Sequence, residues 1–138
     1  MPHYTTNSET VIKAALTVKT IAVVGLSPDP HRPSNEVAVY LLDRGYHVVG
    51  INPNCDEVLG CPCYATLSAV PHAVHTVDVF RQADAVPAIA AEAVAIGADF
   101  LWLQLDVISP EGIAIAADAG LGCVVDRCTK IEHARLMM

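Results

Sequence analysis

A chain of 138 residues is long enough for one domain with a sizeable core and no covalent staples. Its 53% hydrophobic and 17% charged content suits a sheet covered on both faces, and with 5% aromatics the core must be built from Ala, Val, Ile and Leu. A net charge of −7 argues against non-specific nucleic-acid binding, and no apolar run approaches the roughly 20 residues that span a membrane.

Met1 to Asn7 has neither the basic nor the apolar region of a signal peptide, so a cytoplasmic location is expected. Thr6 and Glu9 form a capping-box pattern, and Val11, Ile12, Ala15 and Leu16 share one helical face. The pattern predicts a leading helix within residues 1–18, packed on a single domain covering 1–138. The β-branched run Thr20 to Gly25 predicts a buried strand, and Pro28, Pro30 and Pro33 force a loop from Leu26 to Pro33. Ser34 then caps a helix that Gly45 ends.

The unit recurs along the chain. His47 to Asn52 reads as a second strand, and residues 55–70 read mainly as loop. His75 to Phe80 is a third strand, followed by an Ala-rich helix running to Gly97. Phe100 to Leu105 is a fourth. Ser109 and Pro110 open another helix, Cys123 to Asp126 is a fifth strand, and Thr129 with Glu132 starts the last helix. Such alternation predicts a Rossmann-like α/β fold, a doubly wound parallel sheet of about five strands in the order 3-2-1-4-5 with helices on both faces.

Ligands of such sheets bind beyond the carboxyl ends of the strands, which directs attention to four segments. Gly25, Ser27, Arg32 and Ser34 lead into a helix amino terminus, where backbone amides, hydroxyls and a guanidinium suit a phosphate. Asn52-Pro53, Phe80-Arg81 and the stretch from Gln104 to Ser109 complete the crevice. The dinucleotide pattern is incomplete: Ser27 and Pro30 stand where two glycines are expected, and Asn52-Pro53 where an acid should bind ribose. Asp78, inside a strand, is either a buried hydrogen-bonded acid or a pocket group. Arg127-Cys128 pairs a cation with a thiol at a helix start, which would favour a thiolate. The five cysteines follow no disulfide or zinc spacing. No nucleophile–base set, paired carboxylates or metal cluster emerges.

The segments Ile21 to Ser27 with Arg32-Pro33-Ser34, Gly45-Tyr46 with Asn52-Pro53, Val77 to Arg81, Trp102 to Leu105, and Asp126 to His133 together resemble the small CoA-binding protein family. That family is similar to the CoA-binding domain at the amino end of the succinyl-CoA synthetase α subunit. The resemblance spans nearly the whole chain and implies coenzyme A or an acyl-CoA as ligand. It implies contacts from Gly25, Ser27, Arg32, Ser34, Asn52, Pro53, Phe80, Arg81, Leu103 and Gln104. Asp106 departs from the glycine common at that position and adds a carboxylate near an anionic ligand. The implied function is a coenzyme A-binding module without a reaction of its own. The alternatives are an NAD(P)-binding oxidoreductase or redox sensor, and the coenzyme A-binding half of an acyl-CoA ligase needing a partner chain. A protein partner or a homo-oligomer fits each of these.

Overall fold

The structure is a computed structural model describing residues 5–138; residues 1–4 of the expected leading helix lie outside the described residues. The elements in chain order are α1 (Glu9–Leu16), β1 (Thr20–Val24), α2 (Pro33–Asp43), β2 (His47–Ile51), β3 (Glu57–Val58) and β4 (Cys61–Tyr64). They continue with β5 (Thr76–Val79), α3 (Val86–Ala95), β6 (Phe100–Leu103), α4 (Pro110–Asp118), β7 (Gly122–Val124) and α5 (Thr129–Leu136). The sheet has seven strands in the order β3-β4-β2-β1-β5-β6-β7, all parallel except the antiparallel pair β3–β4.

The expected doubly wound α/β architecture is observed, with a correction to its third strand. His75 to Phe80 was expected outside the second strand, but β5 lies on the other side of β1, with Val23 opposite Asp78. The strand outside β2 is β4, from the segment expected to be loop, with Gly50 opposite Cys63. Counting β4 as third, the parallel strands run 3-2-1-4-5-6, and the chain reverses direction of winding between β1 and β5. Nothing in Cys61-Pro62-Cys63 announces this strand, since proline cannot donate to a ladder and argues against an inner strand. Pro62 is tolerated because it pairs only with Glu57 of the two-residue β3, joined to β4 through Leu59 and Gly60 at positive φ.

Strand alternation divides the core. Ala22, Val24, Val77 and Val79 face α3 and α4, whereas Ile21, Val23 and Val48 face α2. Trp102 and Val124 pack against Ile12, Ala15 and Leu16 of α1. Three helix starts differ from expectation by one or two residues. Ser8 rather than Thr6 caps α1, accepting from the N–H of Val11 at 3.1 Å. Arg32 and Cys128 are the N-caps of α2 and α5, because Pro33 takes the first helical position and Thr129 turns its hydroxyl inward. Ser109 caps α4 as expected. Beside β7, Thr6 bridges Cys123, and Asn7 bonds both backbone groups of Val125 at 2.9 and 2.7 Å.

Candidate functional site

A cleft of about 680 Å³ opens over the carboxyl ends of β1, β5 and β6, between the starts of α2 and α5. One wall is the β1–α2 loop. Gly25 turns the chain there at φ +89°, and a Cβ would meet the Phe80 carbonyl at 3.3 Å and Arg81 Cδ at 3.2 Å. The position needs glycine on both counts. The loop is held by three inward bonds: the N–H of Ser27 to Ser34 Oγ at 3.0 Å, Asn35 Nδ2 to the Ser27 carbonyl at 2.9 Å, and Asn52 Nδ2 to the Leu26 carbonyl at 2.9 Å.

These bonds give the wall its chemistry. The hydroxyl of Ser34 accepts from Ser27, and that of Ser27 accepts from the N–H of Asp29 at 3.1 Å, so each keeps its proton to donate. The first-turn amides of Asn35 and Glu36 already bond the Arg32 carbonyl, and Pro33 has none, leaving that of Ser34 as the orphan donor. Arg32 is exposed on the same wall. Hydroxyl protons, one amide and a guanidinium at a helix amino end form a cradle for an anion.

The opposite wall comes from the segment after β6 and the start of α5. It presents Leu105, Val107 and Ile131, together with Cys128 and Lys130. Leu105 and Ile131 are 52% and 55% exposed, large apolar side chains turned toward an open cleft. Glu36 and Asp106 add carboxylates to the rim. Asp106 has φ +67°, which explains why glycine would suit this position; its N–H is held by Asp126 Oδ1 at 2.7 Å. Arg127 is not aimed at the neighbouring thiol, as its guanidinium donates to the Asp126 carbonyl at 2.8 Å.

At the floor, Gln104 joins the cleft to the core. Its Nε2 donates to Asp78 Oδ1 at 2.7 Å and to Thr129 Oγ1 at 3.1 Å, and Thr129 donates to Asp78 Oδ2 at 3.0 Å. Asp78 is therefore a buried, hydrogen-bonded acid. Burial pushes its carboxyl up to about 7, although the bonds from Gln104 and Thr129 pull the other way.

Of the residues expected at the site, Gly25, Ser27, Arg32, Ser34, Phe80 and Gln104 line the cleft together. Four do not line it. Leu103 is buried in the core, Asn52 ties β2 to the β1–α2 loop, Pro53 is exposed beyond it, and Arg81 is an exposed residue whose Cγ and Cδ lie over Gly25. Leu105 falls in the stretch from Gln104 to Ser109 expected at the crevice, whereas Lys130 and Ile131 were not singled out for the site, because no spacing links the segment after β6 to the first turn of α5. The only sign was the resemblance of Asp126 to His133 to the family pattern.

A family model described as "CoA binding domain" matches residues 19–134. The chain is 34% identical over 116 residues to the uncharacterized protein YneT of Bacillus subtilis, covering 84% of this chain and 86% of that protein. The solved structure of a hypothetical protein from Pyrococcus horikoshii OT3 superposes with a TM-score of 0.92 at 34% identity, covering 100% of both chains. The chain is also 32% identical over 69 residues to acetate–CoA ligase (ADP-forming) I of Archaeoglobus fulgidus, which covers 50% of this chain and 10% of that enzyme.

Proposed function

The chain belongs to the CoA-binding domain family, and from that membership we propose that it binds coenzyme A or an acyl-CoA in the cleft over β1, β5 and β6. The observation that carries the reading is the anion cradle of Ser27, Arg32 and Ser34 at the amino end of α2, facing an apolar wall across one cleft. A phosphorylated nucleotide with a long, methylene-rich arm needs both. An NAD(P) reading is less well supported. Ser27 and Pro30 replace two of the glycines that let a pyrophosphate approach, and Asn52 spends its side chain on the Leu26 carbonyl. The likeness to an acetate–CoA ligase favours a second reading, in which the chain holds coenzyme A for a partner that supplies the reaction.

Calorimetry on the ligand-free protein with coenzyme A, NAD and NADP tests the proposal. Coenzyme A binds most tightly on this reading, and equal or tighter binding of NAD overturns it. Arg32→Ala, which removes a charge-assisted bond worth roughly 1.5–3 kcal/mol, weakens coenzyme A by about one to two orders of magnitude and leaves adenosine affinity nearly unchanged.

A further inference from the structure

The three-membered ring Asp78–Gln104–Thr129 constrains more than the core. An ionised carboxylate only accepts hydrogen bonds. Both oxygens of Asp78 are met, one by Gln104 Nε2 and one by the Thr129 hydroxyl, and the second hydrogen of Nε2 goes to Thr129 Oγ1. The amide nitrogen is thereby fully committed and cannot exchange places with the oxygen. Among the described residues, none donates to Gln104 Oε1, and no buried side-chain nitrogen or oxygen lacks a partner. Oε1 is accordingly the atom left accessible, on a residue that lines the cleft while being only 5% exposed.

We infer that Asp78 and Thr129 are positioning residues that turn the oxygen of Gln104, and not its nitrogen, into the cleft, where it accepts an amide N–H from the pantetheine arm of the ligand. The inference rests on the coenzyme A reading of the cleft. The arm is the part of the ligand assigned to Gln104 because of what surrounds it. The anion cradle lies at the end of β1, two strand spacings or about 10 Å from β6. On the Gln104 side of the cleft, Leu105, Val107, Cys128 and Ile131 offer apolar surface that suits methylenes, with Asp106 and Lys130 the charged groups on the same wall. An acceptor at this depth would be turned away, since a carbonyl or phosphate oxygen facing Oε1 finds no proton, whereas the N–H of a secondary amide is matched.

The experiment compares two ligands at pH 8, above the value of about 7 to which burial pushes Asp78. One is coenzyme A. The other is adenosine 3′,5′-bisphosphate, which has the phosphorylated nucleoside end and no arm. Calorimetry is run on the wild type, Gln104→Met, Asp78→Asn and Thr129→Ser, with thermal unfolding to confirm that each is folded. Gln104→Met, which removes the acceptor, and Asp78→Asn, which offers the amide a donor and releases its orientation, each lose about tenfold in coenzyme A affinity. Both bind the bisphosphate as the wild type does, and Thr129→Ser keeps the wild-type ratio of the two ligands. Equal losses for both ligands make the ring a purely structural feature and overturn the inference, as does unchanged coenzyme A affinity in Gln104→Met. Gln104→Met decides the matter should Asp78→Asn not fold. A wild type that binds neither ligand fails the coenzyme A reading itself, a result distinct from either of these.

Discussion

Asp78 shows how a single side chain can couple the strand ends to solvent pH. Its folded carboxyl is raised from 3.8 to about 7, chiefly because burial disfavours the charged form. The folded state therefore holds a proton that the unfolded chain releases between those values. The stability contributed by the protonated acid is complete below about pH 4 and is lost as pH rises through 7. Asp78→Asn removes this dependence. Denaturant unfolding of both proteins at intervals from pH 5 to 8 shifts in favour of the variant by roughly 1.4 kcal/mol per pH unit up to about 7, and then levels off. A constant difference across that range means that Asp78 ionises at its ordinary value. The absolute difference also contains the two hydrogen bonds the carboxylate accepts, so the trend with pH is the informative quantity.

Whole elements were legible where the physical signal was local. Thr20 to Gly25 and Phe100 to Leu103 are apolar runs bounded by turn residues, and they form β1 and β6. The Ser109-Pro110 pair marks the start of α4 because cap and first position carry their own chemistry. What was not legible depends on partners distant in sequence. β4 exists because β2 offers a free edge, which no feature of Cys61 to Tyr64 announces. Half of the cleft was legible for the same reason as β1, since strand ends mark it, and the other half was hidden because α5 reaches it only through the tertiary fold. Gly112 gives a test of that tertiary control. Within α4 it breaks no backbone rule, and alanine would favour the helix by about 1 kcal/mol. A Cβ there, however, meets Val86 Cγ1 of α3 at 2.4 Å and Ser109 Oγ at 3.1 Å. Overpacking typically costs about 1–3 kcal/mol. Gly112→Ala is expected to lower the urea midpoint, and a raised midpoint would show that α3 and α4 separate freely.

At the scale of the molecule, a short strand on one flank and an asparagine on the other close the sheet at its sides. A terminal strand presents a row of unpaired amides and carbonyls on which another chain can grow. On one flank β3 offers only two residues, with Glu57 exposed, before the chain turns back through Leu59 and Gly60. On the other, Asn7 occupies both backbone groups of Val125, and Thr6 lies beside Cys123. Asn7→Gly keeps a residue tolerant of φ +63° and removes both side-chain bonds. Light scattering across a concentration series is expected to show association of this variant where the wild type shows none of that kind; identical behaviour would mean that β7 is guarded by something else. Among the described residues, then, neither flank offers a long free edge: one ends in a two-residue strand and the other is occupied by the side chain of an asparagine, which is how a sheet built of Val and Ile leaves its polar backbone covered at both sides.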